Sequence, residues 1–425
     1  MRKGLRTFLF FTVFITLWLQ LDAATFRCEP SAVYLSWQGD PQTTMTIQWI
    51  TMSRDQETFV RYRELDGTQW YSINGRKIAM PQKKSQVIHV VELTDLKPGA
   101  SYYFQVGKHP QQHKFQTISD DPNEPIRFVV GGDVLHDSVE IFKETNHQAA
   151  ATHPHFGLIG GDIAYGASKS LWKPQKWANW MKFVEAWSQT MITPDGYKIP
   201  ILPVLGNHDI TGRYGQPKYR APFYYTLFAT PQRRGYFALD FGKNLSIIGL
   251  DSGHSNEITG PQSEWLEKML EERRNVPHKF AFYHVPAYPS VRSFTSKRIV
   301  PVRENWVPIF EKYGLTAAFE HHDHAYKRTH RIYQDNVDPE QGVLYIGDGA
   351  WGVEAPRPTK QPEDVWYLAK TASARHFILV NVEGERRSFT AIDSKGNVVD
   401  HLEERVSVPV KLTRITFEEA IPSPD

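Results

Sequence analysis

Ile201-Leu202-Pro203-Val204-Leu205-Gly206-Asn207-His208-Asp209 is an apolar run that ends, through one glycine, in an amide, an imidazole and a carboxylate. Four other apolar runs also end in donor residues, two of them through glycines. Residues 126–130 exit into Gly131-Gly132-Asp133, and 156–159 into Gly160-Gly161-Asp162-Ile163-Ala164-Tyr165. Residues 280–283 exit into His284-Val285-Pro286, and 315–319 lead to His321-His322-Asp323-His324. Short apolar runs bounded by turn residues read as buried strands. Between them, 138–151 and the Trp-rich 172–191 read as helices, and 261–274 opens a helix with Pro261 in its first turn. Segment 302–313 carries Pro308, which argues against an unbroken helix. Residues 235–251 read as a hairpin, and 342–347 and 376–392 add strands. Strands alternating with helices predict an α/β class with a mostly parallel sheet covered on both faces. In such a sheet ligands bind beyond the carboxyl ends of the strands, so the five exits converge on one crevice.

Upstream the rhythm differs. Met45 to Trp49, 59–62 and 87–91 alternate with period two, turns fall at Asp40-Pro41 and Asn74-Gly75, and no helical stretch appears. Leu96-Lys97-Pro98-Gly99 before Tyr102 reads as a corner entering a late strand. Residues 29–118 thus resemble a fibronectin type III-like β-sandwich, an all-β unit with no chemical site, joined by the linker 119–125 to a second domain over 125–405. Residues 406–425 read as a tail.

The 425 residues are 40% hydrophobic and 23% charged, which excludes a largely disordered chain. A single cysteine, Cys28, excludes an intrachain disulfide, so the fold rests on packed cores. Arg2, Lys3 and Arg6 precede an apolar stretch from Phe8 to Leu21 and a small-residue exit at Ala23-Ala24. This describes a signal peptide over 1–23 and an exported protein, periplasmic, cell-surface or extracellular; the alternative is an uncleaved anchor. The stretch is short for a bilayer span, so no stable membrane span is expected after cleavage. Without residues 1–23 the formal charge is zero, which gives no electrostatic case for nucleic acid or anionic membrane as main partner. The sequence does not set the oligomeric state.

Asp, Tyr and neutral His at the five exits suit iron, zinc or manganese, and the lack of further cysteines excludes thiolate sites. Two ions need one bridging carboxylate, and Asp162 lies in the middle of the pattern. His322 and His324, two apart, would point to opposite faces of a strand, but at a strand exit they can straddle a metal pair. Each piece alone has a structural reading: Gly-Asp a turn, His284 a core histidine, His322-Asp323-His324 a solvated loop. All five together, in order, argue for a metal site.

This ordered set resembles the calcineurin-like metallophosphoesterases, and Tyr165 in Gly161-Asp162-Ile163-Ala164-Tyr165 narrows the resemblance to the purple acid phosphatase family. The resemblance covers nearly the whole mature chain. It implies a four-layer α/β/β/α catalytic sandwich preceded by the fibronectin type III-like domain. It implies two metal ions: Fe(III) on Asp133, Asp162, Tyr165 and His324, and a divalent ion (Zn, Fe or Mn) on Asp162, Asn207, His284 and His322. The activity implied is hydrolysis of small-molecule phosphate monoesters by water activated at that pair. It implies that His208 touches the phosphate and serves as general acid and that Asn207 also meets substrate; beside them, Asp209 is the candidate to orient His208, the alternative being that it simply faces solvent. Tyr326 and Arg328 are implied as structural neighbours.

Three departures touch the substrate side. Val134-Leu135-His136 follows Asp133 where the family commonly has a glycine, His321 stands where a glycine usually precedes the His-x-His pair, and 288–298 holds none of the family's further histidines. Arg292, with Lys297 and Arg298, is the candidate phosphate contact in their place; surface solvation is the alternative. A phosphodiesterase or nucleotide pyrophosphatase on the same metals is the rival enzyme, and a non-catalytic secreted binding protein the rival from another class.

Overall fold

Met45–Thr51 alternates large apolar residues with Thr46 and Gln48, yet all seven residues are buried. The reason is docking on both faces. In this computed structural model, which describes residues 29–52, 56–347 and 349–406, the N-terminal unit is a sandwich of two antiparallel sheets. The first holds β1 (Ala32–Ser36), β2 (Met45–Thr51), β6 (Val87–Leu93) and β5 (Arg76–Ala79). The second holds β4 (Tyr71–Asn74), β3 (Phe59–Glu64), β7 (Ser101–Val106) and β8 (His113–Gln116). Met45, Ile47 and Trp49 join Val60 and Phe104 in the interior. The other face of β1 and β2 lies against the rest of the chain. There Gln48 donates to the carbonyl of Leu227 at 2.7 Å and accepts from the amide of Ala229, while the Tyr34 hydroxyl donates to Leu227 at 2.8 Å. The Tyr102 hydroxyl accepts from the Lys97 amide at 2.9 Å and so closes the corner read from the sequence. The signal-peptide reading, Cys28 and all but Val406 of the tail lie outside the described residues.

The five motif-bearing strands do not share one parallel sheet. They are divided between two mixed sheets stacked face to face. The first has order β11-β10-β9-β21-β22-β23, in which β9 (Ile126–Gly131), β10 (Phe156–Ile159) and β11 (Ile201–Pro203) are parallel. The antiparallel strands β21 (His376–Glu383), β22 (Arg386–Asp393) and β23 (Val398–Arg405) complete it. The second has order β12-β13-β14-β15-β19-β16-β20. Here β13 (Leu245–Gly249), β14 (His278–Phe282), β15 (Ala317–Glu320) and β19 (Leu344–Gly347) are parallel. The expected hairpin pairs β12 (Phe237–Phe241) with β13, β16 (Tyr326–Thr329) and β20 (Leu368–Ala372) close the far edge, and β17 (Ile332–Tyr333) and β18 (Asn336–Val337) pair with each other apart from both sheets. Phe128, Phe156 and Val380 of one sheet share a core with Ile247, Phe280 and Phe319 of the other.

Helices cover the outer faces. Helix α1 (Val139–Ala151) begins where the Ser138 hydroxyl accepts from the Ile141 amide, and α2 (Trp177–Thr190) starts five residues later than the sequence suggested, leaving Trp172 exposed. Both pack on the first sheet through Phe142, Phe183 and Trp187. A short α3 (Pro222–Leu227) lies beneath the docked sandwich. Helices α4 (Pro261–Glu272) and α5 (Val300–Lys312) cover the second sheet through Leu266, Leu270, Trp306 and Phe310. Helix α5 runs through Pro308 unbroken, because burial of Trp306, Val307 and Phe310 outweighs the lost backbone bond. The result is a four-layer α/β/β/α sandwich.

Candidate metal centre

The strand exits meet where the two sheets abut, and their backbone is strained there. Asp133, Asp162, Tyr165, His322 and His324 all adopt positive φ, between 48° and 79°. Such residues cost on the order of 1–3 kcal/mol each and persist where the surroundings over-determine them. The glycines permit close approach. A Cβ at Gly206 would fall 2.1 Å from the Asp162 amide nitrogen, and one at Gly160 would fall 1.9 Å from the His321 ring.

Two donor groups result. In the first, Asp133 Oδ1 lies 2.8 Å from His324 Nε2 and 2.9 Å from the Tyr165 hydroxyl, while Oδ2 accepts from the His322 amide at 3.0 Å. In the second, His284 Nε2 lies 3.4 Å from Asp162 Oδ2, 3.3 Å from Asn207 Oδ1 and 3.0 Å from His322 Nδ1. Ligand atoms of Asp162, His284 and His322 all fall within 4.8 Å of one another. All seven residues proposed as ligands are thus brought together, with Asp162 between the groups.

The donor set fits a pair of cations. Asp162 Oδ2 is buried and has no hydrogen-bond partner. Burial and the Asp133 and Asp162 charges hold the Tyr165 phenol well above its usual range, so a phenolate there requires a cation beside it. Burial alone would lower His284, but Asp162 outweighs it and lifts the imidazole to about 9.

His208 is anchored by its amide, which donates to Asp162 Oδ1 at 2.6 Å, and its ring stacks on Tyr165 with centroids 4.6 Å apart. Asp209 sits elsewhere than the sequence reading put it. Rather than facing the His208 ring, it takes the amides of Ile163 and Gly206, each at 2.9 Å. Burial, then the neighbouring Asp162 charge, pushes it up to about 8. Its role is to hold the two ligand loops together. Arg292 is also engaged: its Nη2 donates to the His322 carbonyl at 3.0 Å and its Nε lies 3.2 Å from Asp323. Tyr326 and Arg328 both bind Asp400, at 2.7 and 2.6 Å, which makes them structural.

Three features escaped the sequence reading. Tyr214 donates to Asn207 Oδ1 at 3.2 Å and stacks on the buried His254. His136 lies edge-on to both Tyr165 and His324. The buried pair Glu320–Lys327 brackets the last motif. Only the first departure from the family pattern, at His136, offered a signal.

Comparison with known proteins agrees with this fold. The family described as Purple acid Phosphatase, N-terminal domain matches residues 30–119, and Calcineurin-like phosphoesterase matches 115–326. A probable purple acid phosphatase 20 of Arabidopsis thaliana is 27% identical over 362 residues, covering 83% of this chain and 81% of its own. The Fe(3+)-Zn(2+) purple acid phosphatase 12 of the same plant is 24% identical, covering 69% of this chain and 66% of its own. In fold, the chain is similar to a purple acid phosphatase from yellow lupin (Lupinus luteus) seeds, with TM-score 0.72 and 16% identity over 88% of this chain and 74% of that one.

Proposed function

Because this chain belongs to the purple acid phosphatase family, a binuclear-metal phosphoric ester hydrolase with iron and a divalent ion, we propose the following division of labour within its site. Asp133, Tyr165 and His324 would hold a ferric ion and Asn207, His284 and His322 a divalent ion, with Asp162 placed to serve either. The observation that carries this is the meeting of the two donor groups at Asp162, whose buried Oδ2 makes no hydrogen bond and faces His284 at 3.4 Å. When bound, the ions supply Lewis-acid activation of water and of the phosphoryl group. The chain does the rest. The His208 ring, half-buried and packed on Tyr165, gives its proton to the departing ester oxygen. Asp209 fixes the distance between the Asp162 and Asn207 loops through the Ile163 and Gly206 amides.

The substrates are small phosphate esters, monoesters in this reading. Among the described residues no helix is long and apolar enough to cross a membrane. Export rests on the signal-peptide pattern at the N-terminus. The test is hydrolysis of phenyl phosphate against its diester at mildly acid pH, with iron and zinc supplied. Faster diester turnover would move the assignment to a phosphodiesterase.

Two further outcomes are expected. Tyr165→Phe loses visible phenolate-to-iron absorption while far-ultraviolet dichroism stays at the parent value; a surviving band would remove Tyr165 from the iron. His208→Ala lowers kcat by about 10²–10⁴ with metal content intact, as befits a proton donor. Equal loss of metal and turnover would make His208 structural.

A further inference from the structure

A formal charge of zero without residues 1–23 gave no reason to expect an anionic partner, but the fold sorts the charges. Over the chain 49 Lys and Arg stand against 47 Asp and Glu. Residues 67–91, 163–184 and 210–239 nevertheless hold four, four and five Lys or Arg, and no Asp or Glu. Side chains of these segments meet on one face. The Trp177 indole donates to Gln86 Oε1 at 2.8 Å, and Lys83 Nζ lies 5.0 Å from the Trp177 ring centroid. Arg220 Nη1 donates to the Leu171 carbonyl at 3.0 Å, and Gln175 Nε2 to the Arg220 carbonyl at 2.8 Å. Among the described residues Lys83, Lys169, Lys173, Lys176, Lys218 and Arg220 make no ion pair with a carboxylate.

Apolar tips stand among these cations. Trp172 is 94% exposed, Tyr219 71%, Met52 50% and Leu171 46%. Met52 belongs to the same face, since its Sδ accepts from Gln86 at 3.3 Å. Exposed Leu171-Trp172 flanked by lysines is the composition of a surface that sinks shallowly into the headgroup region of a bilayer. The chain also enters the fold here. The Ser31 amide donates to the Ile50 carbonyl at 2.9 Å, two positions from Met52. The apolar stretch 8–21 ends eight positions before Glu29. Eight residues span at most about 28 Å, so a bilayer that holds this stretch during export lies within reach of the face.

We propose that this face is a docking surface for an anionic lipid bilayer. Leu171 and Trp172 enter the interface, and Lys169, Lys173 and Lys176 meet the headgroups. Segment 163–184 begins two positions before Tyr165, so docking sets the metal centre at the border of the membrane-facing side.

The test uses residues 24–425, which contain every described element, so that the apolar stretch takes no part. Co-sedimentation is measured with vesicles of phosphatidylcholine alone, or mixed with an equal part of phosphatidylglycerol. The parent binds the mixed vesicles and not the neutral ones. Lys169→Gln/Lys173→Gln/Lys176→Gln lowers the binding constant about a hundred-fold, near five-fold per charge, and Trp172→Ser lowers it about ten-fold. Both variants keep the parent far-ultraviolet dichroism. Lys108→Gln/Lys268→Gln/Lys395→Gln, three exposed lysines of other faces, leaves binding at the parent value. Equal binding to both kinds of vesicle, or to neither, overturns the surface. So does an equal loss in the control triple variant, which would show a general field. Capture of a single-stranded oligonucleotide without vesicle binding overturns the bilayer in favour of a soluble polyanion.

Discussion

Asp162→Asn is expected to lower phenyl phosphate turnover roughly a thousand-fold or more and to empty both metal positions. The argument is local. Asparagine keeps one oxygen for the His208 amide, so the loop bond at 2.6 Å survives and the fold with it. What disappears is the buried charge and the second oxygen, Oδ2, which is without a hydrogen-bond partner and faces His284. Lewis-acid stabilisation is worth several kcal/mol at the transition state, and each 1.36 kcal/mol is a factor of ten. Elemental analysis of the purified variant beside steady-state assays decides it. A protein with both metals and turnover within ten-fold of the parent would sink the bridging role.

The largest effect on stability is expected at Lys327. Lys327 and Glu320 are both fully buried, and the lysine ammonium donates to Glu320 and to the Tyr288 carbonyl. The other Glu320 oxygen accepts from the Tyr283 hydroxyl at 2.7 Å and the Ala287 amide at 2.6 Å. One ion pair therefore ties the segment bearing His284 to the strands on either side of His321-His322-Asp323-His324. Lys327→Met strands the carboxylate in the interior, a loss of about 3–5 kcal/mol. Urea unfolding of the metal-free proteins would show it as a lower midpoint. Lys327→Met/Glu320→Gln removes the stranded charge and recovers part of the loss. A double variant no more stable than the single would mean that packing, not charge, accounts for the effect.

The candidate ligands were legible because each apolar run exits into donor side chains, through glycines at Asp133, Asp162 and Asn207 and directly at His284 and the His322 pair. Asp133, Asp162, Tyr165, Asn207, His284, His322 and His324 each follow an apolar run that had to be buried somewhere. The partners of those runs were not legible. Nothing in residues 201–203 or 278–282 states which sheet they join, because an apolar run buried on both sides carries no orientation. The split into two sheets is set by Phe128, Phe156, Phe280 and Phe319 facing one another, a long-range choice. Gln48 read as an outward-facing polar residue and is buried, since its partners Leu227 and Ala229 lie some 180 positions away in the chain. Arg292, with Lys297 and Arg298, read as a phosphate contact, and only the geometry of Asp323 shows that the Arg292 guanidinium is engaged. Nothing in the stretch Tyr326-Lys327-Arg328 marks Lys327 as buried, since Glu320, its partner, lies across the last motif.

The pairing of β9 with β21 bears on how the chain is made. Strand β9 is central in its sheet, with β10 on one side and β21 on the other, and Val129 lies opposite Leu379. That neighbour is synthesised about two hundred and fifty residues later. Until then the strand that ends at Asp133 presents a row of unpaired amides and carbonyls, an edge open to wrong partners. Loop closure over so long a separation makes this pairing a late and slow event. A nascent chain can thus complete its sandwich early, while the strand that delivers Asp133 becomes fixed only after nearly all the protein has left the ribosome.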